Sequence, residues 1–225
     1  MTFRAPKAAS PLLVEYDSPS FAHVIFLASE TKRRWPSHCN NGTSLTRADF
    51  AKDLAPQALV DVVSRGVNIL VTLPQTQTPL SSFAAEFSLI LPPPSSSLIS
   101  YFPEREESPT VIPVSPPKEH PILTNGLQPV WFSGVPHALA NNPLLIPILR
   151  APPHSFAGEL DSPADVLVEA AEKGGEGLWA GSQLGIVTGF QALNNARVTF
   201  VGSAELFSDD FAQKEVRPYV AVKTN

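Results

Sequence analysis

The sequence predicts a layered α/β domain with a mostly parallel sheet that ends in an antiparallel hairpin. Two apolar runs rich in branched residues, His23–Ser29 and Val67–Leu73, flank a helical pattern that begins at Pro56 and ends at Gly66. A strand, a helix, a glycine and a second strand in this order are typical of a βαβ unit. Nearly continuous apolar strands fit a parallel sheet that is covered on both faces. The architecture expected from these features is flavodoxin-like.

The helix of this unit is predicted from the spacing of its apolar residues. Leu59, Val62 and Val63 fall on one helical face. Pro56 suits the first turn, where its missing N–H has no partner to lose, and Gly66 suits the position just after the last turn. A short loop therefore leads directly into the second strand.

Four further elements are expected after this unit. Phe87–Leu91 and Pro129–Ser133 read as strands, because each is a short apolar run bounded by turn residues. Asn142–Leu149 is predicted to be a short helix with Pro143 at its first position. Ala164–Lys173 has the spacing of an amphipathic helix.

The hairpin is the last feature of the predicted fold. Leu184–Leu193 and Arg197–Val201 are apolar runs, and Asn194-Asn195 forms the corner between them. Asparagine tolerates the positive φ of a tight turn, so this pair predicts a hairpin. In the segment that follows, we expect Leu206 and Phe207 to pack inward with the acidic residues outside.

One domain is expected over residues 16–211, with a disordered tail at 1–15 and a second tail at 212–225. Residues 30–47 and 92–117 are expected to be irregular loops, because both are polar and interrupted by proline or glycine.

The second loop holds 8 of the 24 prolines. Proline lacks a backbone donor and fixes φ, so a regular central strand or helix is excluded over most of this stretch. We expect an extended surface loop with a short edge strand at Thr110–Val114. A proline-rich partner motif is the alternative.

Composition excludes several classes of protein. A length of 225 residues is enough to bury a real core. A net charge of −5 argues against a nucleic-acid binder that depends on phosphate contacts. No run of eighteen apolar residues is present, so no membrane span is predicted. With Cys39 as the single cysteine, an intrachain disulfide and a multi-cysteine metal site are excluded.

No cofactor is predicted. Gly175-x-Gly177-x-x-Ala180 matches the letters of a dinucleotide fingerprint, but these glycines follow a predicted helix and lead into a strand. The fingerprint needs the reverse order, so that phosphate meets a helix N-terminus. We interpret the glycines as a helix end. The histidines are scattered without the spacing of metal ligands.

Two weak candidates for chemistry remain. Ser133 and His137 are close in sequence and could form a hydroxyl–imidazole pair, although packing at a strand end is the simpler interpretation. Asn41-Gly42-Thr43 is an N-glycosylation sequon in a polar loop, so Asn41 is a possible glycosylation site in a secreted chain.

Several segments, in order, resemble the 48 kDa (Wbp1-type) subunit family of the eukaryotic oligosaccharyltransferase. GFQALNNARVTFVGSAELFSDDF, residues 189–211, is similar to the signature that closes the first lumenal domain of that family. PVWFSGVPHALANNPLLIPIL, residues 129–149, resembles a second family stretch. The βαβ unit over 58–73 and YDSPSFAHVIFLAS, residues 16–29, resemble two more.

The resemblance implies a non-catalytic accessory subunit at the lumenal face of the endoplasmic reticulum membrane. Its partners would be other subunits of the complex, including the catalytic membrane subunit, and the dolichol-linked glycan that is transferred to Asn of nascent proteins. No catalytic, cofactor or metal residue is carried over from the family. Against that pattern, the N-terminal part looks truncated, and the chain is expected to stop before the family's second lumenal domain and membrane helix.

Two other hypotheses stay open. A flavodoxin-like fold often supports small-molecule binding or hydrolysis at the carboxyl ends of its strands, and Ser133 and His137 would then be the residues to test. A truncated product could also fail to fold stably.

Overall fold

The computed structural model describes residues 23–26, 56–102, 106–117, 127–159 and 179–212. Within these ranges the chain forms strands, α-helices and two 3-10 turns, at Gly181–Gln183 and Ala204–Phe207. The strands are β1 (His23–Phe26), β2 (Asn68–Thr72), β3 (Leu89–Ile90), β4 (Ser97–Ile99), β5 (Ile112–Val114), β6 (Val130–Phe132), β7 (His137–Leu139), β8 (Leu145–Arg150), β9 (Phe156–Gly158), β10 (Leu184–Gln191) and β11 (Arg197–Val201). The helices are α1 (Pro56–Ser64), α2 (Pro79–Glu86) and α3 (Asp209–Ala212).

The predicted βαβ unit is confirmed. Strands β1 and β2 pair in parallel, with Ile25 opposite Leu70, and α1 lies between them in the chain. Gly66 follows the helix with φ of +90°, a conformation that favours glycine. The helix buries the three residues that its spacing predicts: Leu59, Val62 and Val63.

The predicted hairpin is also confirmed, and it occupies the centre of the main sheet. Strands β10 and β11 are antiparallel, and β11 then pairs with β2 in parallel. The Ala192 N–H donates to the Ala196 carbonyl oxygen, so the loop contains three residues between these two. Asn195 has φ of 65°, as the left-handed residue of a three-residue hairpin loop does.

Asn194 attaches this loop to α1. Its Nδ2 donates to the carbonyl oxygens of Val63 and Ser64, at 2.9 Å each. Its Oδ1 accepts from the Ala196 N–H at 3.1 Å. The last carbonyls of a helix have no partner within the helix, so this one side chain caps α1 and fixes the hairpin turn together.

The prediction of a flavodoxin-like, mostly parallel sheet is wrong. The main sheet has seven strands in the order β1-β2-β11-β10-β7-β3, with β8 paired to the other side of β10. Only β1–β2 and β2–β11 are parallel among the described pairs of this sheet. The four pairings beyond β11 are antiparallel. A parallel pair needs a long crossover, whereas an antiparallel pair can be joined by a short turn, as β10 and β11 are.

The two faces of the sheet are covered differently, which is a second departure from the predicted layers. On one face, α1 and α2 pack on β2 and β11 through Leu59, Phe83 and Phe200. On the other face, described residues of the ladders β4–β9 and β5–β6 cover β10, through Leu98 and Phe132. The fold is therefore a mixed sheet with helices on one side and strands on the other.

The helix predicted at Asn142–Leu149 is wrong, because this segment forms strand β8. Burial alternates along it, with Leu145, Pro147 and Leu149 buried and Ile146 exposed. That period of two is a strand pattern. Pro147 has no N–H and is tolerated because β8 pairs on one side only, with β10, among the described strands.

Three smaller expectations also change. The strand predicted at Phe87–Leu91 shrinks to β3, because Phe87 is the C-cap of α2. Helix α2 is absent from the sequence-based expectations, although Thr78-Pro79 and the spacing of Leu80, Phe83 and Ala84 mark it. The strands predicted near Thr110–Val114 and Pro129–Ser133 are confirmed as β5 and β6, while β4 in the proline-rich stretch is missed.

Leu206 packs as expected against the buried residues that cover β10, among them Leu98 and Phe132. The Phe207 side chain is 46% exposed, so its predicted inward packing is wrong. The helix expected at Ala164–Lys173, the loop at 30–47 and the tail at 1–15 lie outside the described residues. No described helix is long and apolar enough to cross a membrane.

Candidate functional site

A cleft of about 910 Å³ opens where the carboxyl end of β2 meets the amino end of β10. Pro74 and Gln75 follow β2 and form one side, while Leu184 begins β10 on the other. In sheets with parallel strands, ligands bind outside the carboxyl ends of those strands, because backbone and loop groups converge there. The cleft is therefore the candidate functional site.

The first wall is the loop after β2 together with helix α2. Gln75 is held twice: its carbonyl oxygen accepts from the Ser95 N–H at 3.0 Å, and its Nε2 donates to Ser97 Oγ at 2.9 Å. Ser81 and Ser82 project from the first turns of α2. These contacts place amide and hydroxyl groups at fixed positions along the opening.

The opposite wall is formed by Trp179 and Gln183. The Trp179 carbonyl oxygen accepts from the Ala157 N–H of β9 at 2.7 Å. Its indole packs on the core cluster beneath β10 and also lines the cleft. Gly181 follows, and its N–H donates to the Ser155 carbonyl oxygen at 2.8 Å. The backbone from Trp179 to Gly181 is thus held at both ends.

The chemistry of the cleft is neutral. Among the described residues, its lining carries amides, hydroxyls, one indole and a run of prolines at 92–94, and no ionisable side chain. Such a surface can form neutral hydrogen bonds and stack on a ring. General acid–base catalysis needs a titratable side chain within reach of the substrate, and the described lining supplies none.

His137 lies in β7, buried beside β10. Its Nε2 and Thr188 Oγ1 share a hydrogen bond of 2.7 Å, and its Nδ1 has no partner among the described residues. Burial removes the charged form from water, which lowers the pKa of His137 from 6.5 to about 3. The imidazole is therefore neutral at physiological pH.

Ser133 lies half-buried in the turn after β6. No hydrogen bond joins it to His137: the histidine's Nε2 is engaged by Thr188, and its Nδ1 is unpaired. The hydroxyl–imidazole pair stays a prediction from sequence, without a hydrogen bond in the described structure to support it. Asn41 lies outside the described residues.

The cleft is not predicted from the sequence. Its lining comes from four separated parts of the chain, at 74–94, 135–138, 179 and 183–184. Thr78-Pro79 at the start of α2 and Trp179 are the available signals. Elsewhere in the described ranges, no three His, Cys, Asp or Glu side chains are grouped so as to hold a metal ion.

Comparison with known proteins gives a family and two named relatives. Residues 1–225 match the family described as "OST48, N-terminal domain". The chain is 25% identical over 211 residues to the dolichyl-diphosphooligosaccharide–protein glycosyltransferase subunit wbp1 of Schizosaccharomyces pombe, covering 91% of this chain and 43% of that protein. It is 34% identical over 94 residues to the 48 kDa subunit of the same enzyme from Arabidopsis thaliana, covering 40% of this chain and 18% of that protein.

The chain thus spans less than half the length of the curated relatives it matches. Among solved structures, it is similar to an mmIFT52 N-terminal domain, with a TM-score of 0.49 and 15% identity, over 76% of this chain and 65% of that one.

Proposed function

The chain belongs to the OST48 N-terminal domain family, and we propose that it acts as a non-catalytic accessory subunit of the oligosaccharyltransferase complex. The single observation that carries this proposal is the family match over residues 1–225. The names of the relatives from fission yeast and Arabidopsis support it, because both are subunits of one glycosyltransferase.

Membership in such a complex defines the proposed partners. They are the other subunits, including the catalytic membrane subunit, and the dolichol-linked glycan that the complex transfers to Asn of nascent proteins. The proposed location is the lumenal face of the endoplasmic reticulum membrane. Asn41, in its Asn-Gly-Thr sequon, would be accessible to the same transfer reaction there.

The chemistry of the described residues supports a binding role. The cleft is lined by neutral groups. The buried side chain of His137 is uncharged and forms a hydrogen bond with Thr188. A subunit that positions partners needs complementary surfaces and fixed hydrogen-bonding groups, and it needs no activated nucleophile.

Depletion and rescue in the organism of origin test the proposal. Loss of the full-length protein should leave a reporter glycoprotein underglycosylated, and re-expression of the wild-type protein should restore its glycans. The Ser133→Ala variant should rescue equally well, because the proposed role uses no nucleophile. Normal glycosylation after complete depletion would contradict the proposal. A wild-type protein that rescues glycosylation while the Ser133→Ala variant does not would also contradict it.

A further inference from the structure

We infer that the cleft at the carboxyl end of β2 binds uncharged sugar residues of a glycan and does not bind its phosphate-bearing end. This deepens the proposed function, since it assigns a ligand class to one site. It rests on the proposed function for the choice of a glycan and on the chemistry of the cleft for the part of the glycan that binds, and it can be tested without the rest of the complex.

The groups of the cleft match sugar hydroxyls. A sugar ring presents many neutral donors and acceptors around an apolar face. The side chains of Gln75, Gln183 and Ser82 offer both donors and acceptors, and Trp179 offers a flat ring. Leu89 and Pro93 supply apolar contact between them. At about 910 Å³, the cleft has the size of a small-molecule site and can hold a short oligosaccharide.

The walls are fixed before any ligand arrives. Gln75 is held by Ser95 and Ser97, and the backbone of Trp179 is held by Ala157. The three prolines at 92–94, which also line the cleft, restrict the backbone there. A site whose groups are already ordered loses less entropy on binding, which matters for sugars because each of their hydrogen bonds is weak.

A phosphate group is disfavoured at the same place. The described lining has no Lys, Arg or His to pair with it. Helix α2 begins beside the cleft, yet its backbone donors are largely engaged or missing. Pro79 has no N–H, while the N–H groups of Ser81 and Ser82 donate to the Thr78 carbonyl oxygen at 2.9 and 3.4 Å. The helix start therefore offers little to an anion.

Ligand-observed NMR on the purified 225-residue chain tests this inference. Neutral trisaccharides of glucose and of mannose serve as probes, and inorganic pyrophosphate and glucose 6-phosphate serve as charged competitors. We expect saturable binding of at least one neutral trisaccharide with a Kd on the order of millimolar, undisturbed by pyrophosphate at equal concentration.

Variants locate the binding. Trp179→Ala should raise the Kd by about tenfold or more, while Trp179→Phe should retain most of the affinity through its ring. Tyr101→Ala is the matched control, because Tyr101 is an aromatic residue that is 55% exposed and lies outside the lining. Gln183→Ala, at an exposed position, gives a second test if Trp179→Ala does not fold by circular dichroism.

Three results would overturn the inference: no saturable binding of either trisaccharide, binding of pyrophosphate that displaces the sugar, or equal losses in Trp179→Ala and Tyr101→Ala. None of these three results bears on whether the protein assembles with the transferase complex. Co-purification of the Trp179→Ala full-length protein with the transferase complex reports that separately, so failure of the ligand assignment and failure of the proposed function can be distinguished.

Discussion

Asn194 connects the hairpin turn to the end of a helix that lies 130 residues earlier in the chain. Its amide group donates two hydrogen bonds to the last carbonyls of α1 and accepts one within its own turn. One side chain thus satisfies groups on two elements whose positions the local sequence does not relate. The stability that Asn194 contributes should therefore depend on its Nδ2 donor as well as on its Oδ1 acceptor.

Substitution at Asn194 separates these two roles. Asn194→Ala should lower the free energy of unfolding by about 1 kcal/mol, because the Val63 and Ser64 carbonyl oxygens and the Ala196 N–H each lose a hydrogen bond, although Val63 keeps the one from the Gly66 N–H. Asn194→Asp keeps the acceptor for Ala196 but places a negative charge against the C-terminus of α1, so it should destabilise at least as much. Urea denaturation measures both. An Asp variant as stable as the wild type would show that the turn acceptor alone matters.

His137 is a buried base that the fold keeps neutral. Its folded-state pKa is about 3 because burial disfavours the imidazolium, whereas the unfolded chain protonates it near 6.5. The folded state therefore binds fewer protons than the unfolded state below pH 6.5. The stability that depends on a neutral His137 is present above pH 6.5 and is lost as the pH falls toward 3.

As the pH falls, the free energy of unfolding should therefore decrease more steeply in the wild type than in His137→Gln. Between pH 7 and pH 5, the wild type should lose about 2 kcal/mol more of its free energy of unfolding than the variant does. Glutamine cannot take up a proton but can still bond to Thr188. Urea titrations at the two pH values give the difference, and parallel curves for the two proteins would contradict the assigned pKa.

At the residue scale, the sequence predicts what depends on neighbours in the chain. The apolar face of α1, the glycine after it and the positive φ of Asn195 all follow from local spacing and backbone preference. The bonds from Asn194 to α1 and from His137 to Thr188 cannot be predicted in this way, since each joins residues that only the folded sheet brings together.

At the scale of elements, a glycine junction joins the end of β11 to the connection between β6 and β7. The Val135 N–H donates to the Gly202 carbonyl oxygen at 2.8 Å, and the Gly202 N–H donates to Ile186 of β10 at 2.9 Å. A Cβ on Gly202 would overlap the Val135 carbonyl oxygen and approach the Phe132 ring at 3.0 Å. Only glycine allows the two backbones this approach.

Gly202→Ala should therefore be strongly destabilising, by about 3 kcal/mol, because backbone and not a flexible side chain stands in the way. Gly189→Ala is the matched control in β10. A Cβ added at Gly189 would lie 3.3 Å from Cδ1 of Ile148, the end of a side chain that can move. We expect that variant to stay within about 1 kcal/mol of the wild type. Thermal unfolding compares them, and equal melting temperatures would refute the account of the junction.

At the element scale, prediction succeeds where the pattern is long and unambiguous. The βαβ unit and the hairpin follow from apolar runs with clear caps and turns. Asn142–Leu149 is wrongly predicted as a helix because Pro143 imitates a helix start and a short apolar run fits the period of a helix as well as that of a strand. Its pairing with β10 settles the outcome, and that pairing is a tertiary contact.

The whole molecule combines a small parallel unit with antiparallel additions. Strands β1, β2 and β11 run in parallel, and β10, β7, β3 and β8 extend the sheet in the antiparallel sense. The cleft lies where these two parts meet, between the end of β2 and the start of β10. Its neutral lining and its position both support a role in holding a ligand or partner.

The sequence predicts the parallel unit but not the class of the fold, because helices on both faces were assumed from two apolar strands. The described residues place strands on the second face instead. The cleft escapes prediction for the same reason, since its two walls become neighbours only when β10 is inserted beside β11.

The central claim is that this chain is part of an oligosaccharyltransferase. The most direct measurement is affinity purification of the tagged full-length protein from detergent-solubilised endoplasmic reticulum of the organism of origin, followed by mass spectrometry and a peptide glycosylation assay on the eluate. The account predicts that the other subunits, including the catalytic one, co-purify together with transfer activity. A well-folded, correctly localised protein that elutes without them and without activity would contradict it.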